Sequence, residues 1–133
     1  MAKTDVYRRQ HGEILGMVDA LTGMLNETSL DASKARTSLS NVVGKARVHL
    51  AMEDQSLYPD AFSREQTRVM AQSYQREMGD LAASLIDFSR RWTLAAMESE
   101  PASFCQEATQ IFKALRERIQ REETELYPLI DRS

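Results

Sequence analysis

Hydrophobic residues recur along this chain at spacings of three and four positions, in four long stretches separated by short polar segments. Such spacing places the apolar side chains on one face of an α-helix, which is typical of helices that pack around a core. The first stretch runs from about residue 4 to residue 26, and its apolar face consists of Tyr7, Ile14, Val18, Leu21 and Leu25. One position in phase with this face is polar, and it is occupied by His11.

The other three stretches repeat the same helical period. The second is predicted to end at Pro59, because proline interrupts a helix. The third is predicted to run from a Ser-Arg-Glu-Gln capping box at 63–66 to about Met97. The fourth is predicted to begin at Pro101, since proline is favoured in a first helical turn, and to end at Pro128.

The short connections predict that consecutive helices are antiparallel. The sequence therefore predicts an all-α fold, a single up-down-up-down four-helix bundle in one domain over residues 1–133. The turn-forming residues agree with this prediction, because only five Gly and three Pro occur among 133 residues. An all-β domain of this length needs more turns than these residues supply.

Charge and composition exclude several classes of protein. The net charge is −3 and the two signs are interleaved, so the chain lacks the basic stripe that nucleic-acid binding requires. No apolar run approaches the roughly 18 residues that span a membrane, and the first residues do not resemble a signal peptide. We therefore expect a cytoplasmic protein. A single cysteine, Cys105, excludes an intrachain disulfide framework and a cysteine-based zinc site.

The two halves of the chain resemble each other. The segment 49–59 matches the segment 118–128 at a shift of 69 residues, and both end in Leu-Tyr-Pro. The residues around His11 match those around Met78 at a shift of 67. These near-equal shifts predict two related helical hairpins, in which His11 corresponds to Met78 and His49 corresponds to Arg118.

Several polar side chains fall in phase with the apolar faces. His49 and Glu53 share one helix face at i and i+4, and Arg118 and Glu122 share another. Taken singly, each has an ordinary explanation, such as a hydrogen-bonded core histidine or a surface ion pair. Taken together, they predict a buried layer of charge, which is costly unless it is paired or binds a cation.

The chain resembles a known family over nearly its whole length. The residues that carry the resemblance are His11, His49-x-x-x-Glu53 before Leu57-Tyr58-Pro59, and Glu122-Glu123 before Leu126-Tyr127-Pro128. They resemble the hemerythrin, or HHE cation-binding, domain. The resemblance implies a four-helix bundle; hemerythrins hold two iron atoms bridged by carboxylates and bind dioxygen between them.

Part of the family's ligand set is retained here. The resemblance assigns the first-helix ligand to His11, and the second-helix histidine and bridging carboxylate to His49 and Glu53. The second bridging carboxylate corresponds to Glu123, with Glu122 as its neighbour. Which of these two acids faces the site is left open at this point.

The rest of the ligand set is missing. The two third-helix histidines correspond to Tyr74 and Met78, and the fourth-helix histidine corresponds to Arg118. Every histidine of the second metal position is therefore absent, which argues against a di-iron centre. The remaining residues resemble a set for one divalent ion, iron foremost, with manganese or zinc as alternatives. We infer that the Arg118 guanidinium replaces the cation of the missing position and that Met78 fills the volume of a lost imidazole. The remaining charge is balanced either by that single ion or by protonated histidine without any metal.

Two functional hypotheses from different classes follow. In the first, the chain is a cation-binding module with at most one non-heme metal, whose partners are the metal and a small diatomic molecule such as O2 or NO. In the second, it is a metal-free structural, interaction or regulatory bundle without a cofactor. A metalloenzyme would rest only on analogy of fold, because the sequence shows no separate general base, so we expect no enzymatic activity. A protein partner is not indicated.

Overall fold

The structure, a computed structural model, describes residues 2–133, and these form helices without any strand. The α-helices are α1 (Asp5–Leu25), α2 (Ala32–Met52), α3 (Tyr58–Phe62), α4 (Glu65–Arg91), α5 (Leu94–Ser99), α6 (Pro101–Arg121) and α7 (Tyr127–Arg132). Two five-residue π-helical turns join the others, the first π segment (Glu53–Leu57) after α2 and the second π segment (Glu122–Leu126) after α6. No helix within residues 2–133 is long and apolar enough to cross a membrane.

The long helices surround a common core. Helix α1 contacts α2 and α6, and helix α4 also contacts α2 and α6. At one end the core is aromatic and aliphatic, with Phe104 stacked on Phe88 and packed edge-on against Trp92. A second cluster, rich in tyrosine, includes Tyr7, Tyr74 and Tyr127.

The two predicted helix ends at proline are wrong. Each proline lies in the first turn of a further helix, α3 or α7, which continues to Phe62 or Arg132. The first helical turn needs no backbone donor from proline, so the residue is compatible with a helix start. Directly before each proline, a tyrosine N–H bonds the carbonyl five residues earlier, from Tyr58 to Glu53 and from Tyr127 to Glu122.

The third predicted helix is also divided. Helix α4 ends at Arg91, and α5 starts separately with the Thr93 side chain accepting a hydrogen bond from the Ala96 N–H. The Arg36 guanidinium donates to the backbone oxygens of Ser89 and Trp92, which occupies carbonyls that the helix end leaves free. The expected capping box at 63–66 is not formed, because the residue before α4 makes no side-chain cap. The predicted start of the last long helix at Pro101 is confirmed.

Candidate metal centre

Four buried side chains from different parts of the sequence meet inside the protein: His11, His49, Glu53 and Glu122, here called the His/Glu cluster. One ligand atom from each lies within 4.8 Å of all the others. The Nε2 atom of His11 is 3.1 Å from Glu122 Oε1, and the Nε2 atom of His49 is 3.1 Å from Glu53 Oε1. The cluster therefore presents two imidazole nitrogens and two carboxylate oxygens to one small volume.

The two π segments place the glutamates of the cluster. Glu53 is the first residue of the first π segment and Glu122 is the first residue of the second. Single π turns inside helices occur frequently at functional sites. Their occurrence at the same point of both halves agrees with the 69-residue repeat, which pairs Glu53 with Glu122.

The outer nitrogen of each histidine is held by a hydrogen bond. His49 Nδ1 donates to Gln10 Oε1 over 2.6 Å, while Gln10 Nε2 donates to Met52 Sδ, which fixes the direction of the amide. His11 Nδ1 donates to Glu123 Oε2 over 2.7 Å. Both Nε2 atoms are thereby directed at the cluster, as in metal-ligating histidines whose other nitrogen donates to a carboxylate or carbonyl. Gln10 was missed by the sequence analysis, because no spacing or repeat distinguishes it from other polar residues.

Two buried tyrosines complete the surroundings of the carboxylates. The Tyr58 hydroxyl donates to Glu122 Oε2 over 3.0 Å, and the Tyr127 hydroxyl donates to Glu53 Oε2 over 2.6 Å. Burial and the neighbouring carboxylates raise the pKa of both phenols, which therefore remain protonated donors. The repeated Leu-Tyr-Pro was visible in the sequence, but its tyrosines were not identified as site residues.

The cluster concentrates charge that its protein neighbours leave incompletely balanced. Burial raises the pKa of Glu53, and the negative charge of Glu122 adds to this change, although the neighbouring His49 opposes it. Two buried atoms that face each other, His49 Nε2 and Glu53 Oε1, have no hydrogen-bond partner. Two acceptor atoms 3.1 Å apart repel each other unless a proton or a cation lies between them. Two neutral imidazoles and two carboxylates carry a charge that one divalent ion neutralises, and this donor set suits iron, manganese or zinc.

The protonation of His11 predicts a pH dependence for the metal-free chain. Burial lowers the pKa of His11, but the adjacent Glu122 and Glu123 outweigh it, so that the pKa is raised from its usual 6.5. A raised pKa in the folded state contributes stability below the unfolded value, and this contribution is lost as the pH rises through the folded value. The free energy of unfolding is therefore expected to fall as the pH rises from about 6.5 through the raised folded-state pKa of His11, as measured by urea unfolding of the metal-free chain.

The matched control for this measurement is His11→Gln, which removes the titrating group. In this variant the decline in that pH range is expected to flatten. Equal declines in the variant and the unmodified chain would assign the effect to other groups.

The structure brings Glu122, rather than Glu123, among the four ligand atoms. Glu122 is fully buried, whereas the Glu123 side chain is 30% exposed and reaches only the outer nitrogen of His11. The resemblance assigned the second carboxylate to Glu123 on a spacing of five residues from Arg118. Glu122 continues the register of α6, because its N–H bonds the Arg118 carbonyl four residues earlier. Glu123 lies one position further round the helix and holds His11 from outside.

Tyr74 and Met78, which correspond to the missing third-helix ligands, are both buried. The Tyr74 hydroxyl donates to Glu125 Oε2, and Met78 lines a small cavity next to the two histidines. Neither side chain supplies an imidazole-like ligand at this place. The two third-helix positions therefore offer no imidazole.

Arg118 is not brought to the cluster. Its guanidinium forms an ion pair with Glu77 of α4, and within residues 2–133 no ion pair joins it to Glu53, Glu122 or Glu123. The expectation that this guanidinium occupies the place of a missing cation among the bridging carboxylates is thus corrected. The long side chain extends to a partly solvated position, where the charge remains hydrated at a lower cost than inside the core.

Replacing Arg118 with Ala is expected to lower the free energy of unfolding by less than about 1 kcal/mol, because partly exposed ion pairs contribute little. Denaturant unfolding measures this change, and Glu77→Ala, which removes the other partner, is expected to match it. A loss of about 3 kcal/mol or more would show that Arg118 balances buried charge.

A small, partly open cavity of about 20 Å³ adjoins the cluster on the side of His11 and His49. Apart from these two histidines its lining is apolar and includes Met78, Leu85 and Ile119. A volume of this size accommodates one molecule about as large as water. The imidazoles therefore face a small apolar space instead of bulk solvent.

Comparison with known proteins agrees with this arrangement. A protein-family model described as the hemerythrin HHE cation-binding domain matches residues 2–130. Searches of curated proteins and of solved structures returned no match. With its helical fold, its buried His/Glu cluster and a match over almost the entire chain, this protein belongs to the hemerythrin HHE cation-binding domain family.

Proposed function

We propose that this chain binds a single divalent transition metal, iron foremost, through His11, His49, Glu53 and Glu122. The observation that carries the proposal is the convergence of these four buried ligand atoms within 4.8 Å, two of which have no partner in the protein. A di-iron centre is not part of the proposal, because the positions of the second set of histidines hold Tyr74, Met78 and Arg118.

The proposed ligand of the metal is a small diatomic molecule, O2 or NO. A divalent ion held by these four residues would supply the affinity for such a molecule. The small apolar cavity next to His11 and His49 supports this choice, because its volume excludes large ligands and its lining disfavours charged ones. Gln10 and Glu123 hold the imidazole rings so that their inner nitrogens remain directed at the cluster.

The proposal describes a binding or sensing module rather than an enzyme. Within the described residues the cluster has no additional unpaired base beside it, and the adjoining cavity of about 20 Å³ is too small for a larger substrate. We further propose that the four long helices form an up-down-up-down bundle and that the protein acts in the cytoplasm.

Elemental analysis of the protein expressed in iron-rich medium tests this function directly. We expect close to one equivalent of metal per chain, with an absorption spectrum that changes when NO is added without oxygen. Less than about a tenth of an equivalent, with no uptake on titration, would reject it. About two equivalents would reject the single-metal form.

A metal-free structural or regulatory bundle is the second candidate. It is favoured by the position of His11, whose two nitrogens lie 3.1 Å from Glu122 and 2.7 Å from Glu123. A protonated imidazole there would balance part of the charge without a metal. This candidate predicts that metal titration leaves the unfolding transition unchanged.

A further inference from the structure

The geometry points to Tyr58 and Tyr127 as positioning residues that leave each glutamate of the cluster with one free oxygen, so that the site binds a single ion and not a carboxylate-bridged pair. This inference rests on the proposed function. Two features then limit the site to a single ion: the missing histidines, and the two tyrosines that contact the carboxylates.

The two oxygens of each glutamate have different partners. On Glu53, Oε2 accepts the Tyr127 hydroxyl over 2.6 Å, while Oε1 faces the Nε2 atom of His49. On Glu122, Oε2 accepts the Tyr58 hydroxyl over 3.0 Å, while Oε1 faces the Nε2 atom of His11. In both residues the phenol holds the oxygen that points away from the histidine.

This arrangement is reciprocal between the two halves of the chain. Tyr58 directly follows the first π segment and bonds the glutamate that begins the second. Tyr127 directly follows the second π segment and bonds the glutamate that begins the first. The same 69-residue shift relates the two tyrosines and the two glutamates. The repeat therefore places each phenol on the carboxylate of the opposite half.

A carboxylate that bridges two metal ions uses both of its oxygens. Here a second ion would have to bind Glu53 Oε2 or Glu122 Oε2, and each of these oxygens already accepts a hydrogen bond from a buried tyrosine. The Tyr127 hydroxyl oxygen also lies 3.2 Å from Glu122 Oε1 and 3.3 Å from His11 Nε2, and so takes up space inside the cluster. The Tyr127 hydroxyl has a single proton, and its shortest contact, 2.6 Å, directs that proton to Glu53 Oε2. The atoms left to bind an ion are then one oxygen of each glutamate and the Nε2 atom of each histidine.

Cobalt(II) is the probe for this inference, since its visible absorption weakens as its coordination number rises. The metal-free chain, Tyr58→Phe and Tyr127→Phe are each titrated with cobalt(II). Infrared difference spectra then measure the separation of the two carboxylate stretching bands, which is wide for one-oxygen coordination and narrow for two-oxygen or bridging coordination. Tyr74→Phe is the matched control, because it removes a buried hydroxyl whose partners lie outside the cluster.

We expect the unmodified chain and Tyr74→Phe to bind one cobalt per chain with widely separated carboxylate bands. In Tyr58→Phe and Tyr127→Phe, the freed oxygen is expected to join the metal, which narrows the separation and lowers the visible absorption per cobalt. Spectra that are the same in all four proteins would overturn the role of the phenols while leaving metal binding intact.

Failure of the proposed function would give a different result. If none of the four proteins takes up cobalt, both the proposed metal binding and the role of the tyrosines are overturned. Circular dichroism reports whether each variant keeps its helices. If a variant loses its helices, the test rests on the cobalt content and the infrared spectrum of the unmodified chain. Two cobalt ions per chain or narrowly separated bands would overturn the inference, and one ion with widely separated bands supports it.

Discussion

Iron(II) added without oxygen at about 100 times its dissociation constant is expected to stabilise the metal-free chain by about 2.7 kcal/mol. The reason is that the four ligand atoms lie together only in the folded state, since α1, the two π segments and α2 bring them from distant parts of the sequence. A ligand that binds the folded state alone stabilises it by mass action. Urea unfolding with and without iron measures the gain.

Glu122→Gln is expected to remove most of this gain. The substitution keeps the shape of the side chain but takes away a charged ligand from the buried cluster. Glu125→Gln is the matched control, because Glu125 lies in the same π segment, where its carboxylate bonds Tyr74 instead of facing the cluster. An equal iron-dependent gain in both variants and in the unmodified chain would show that iron binds elsewhere.

Phe104→Ala is expected to lower the free energy of unfolding by about 3 to 5 kcal/mol. The ring is fully buried, stacks on Phe88 at 5.7 Å between centroids and meets Trp92 at 5.5 Å. Its removal leaves a cavity among rigid aromatic neighbours that cannot easily close around it. Denaturant unfolding measures the loss.

The matched control for Phe104→Ala is Val69→Ala, since Val69 is 77% exposed and its truncation is expected to change stability by no more than about 0.5 kcal/mol. Metal content per folded chain is expected to stay unchanged in Phe104→Ala. The ring belongs to the core cluster of Phe88 and Trp92, whereas the tyrosines that bond the ligand carboxylates belong to another cluster. A loss of metal in proportion to the loss of stability would show that the two regions are coupled.

The buried charges of the His/Glu cluster cost folding free energy, which is consistent with a role in binding rather than in stability. Buried ion pairs are frequently less stabilising than apolar residues of similar volume. Here two carboxylates and two imidazoles lie at a place where the apolar pattern of the helices would accommodate hydrophobic side chains. The aromatic core around Phe104 supplies stability that such a cluster does not.

The hydrophobic period determined which segments are helical and which faces they bury. The apolar face predicted for the first stretch is largely that of α1, where Tyr7, Ile14, Val18 and Leu21 are buried. His11, His49 and Glu53 were identified because they fall in phase with these faces, and all three lie in the cluster. Phase within a helix is a local property, so it can be read from the sequence.

What the sequence left open depends on contacts between distant segments. The choice of Glu122 over Glu123 is decided by partners from other segments, because Tyr58 bonds Glu122 inside the cluster and Glu123 reaches the outer nitrogen of His11. The direction of Arg118 follows from its partner Glu77 on another helix, and the role of Tyr127 follows from the opposite half of the chain. Local periodicity specifies the face of each helix, whereas the partner of a long polar side chain is decided only where the helices meet, because pairing and desolvation there determine which arrangement has the lower free energy.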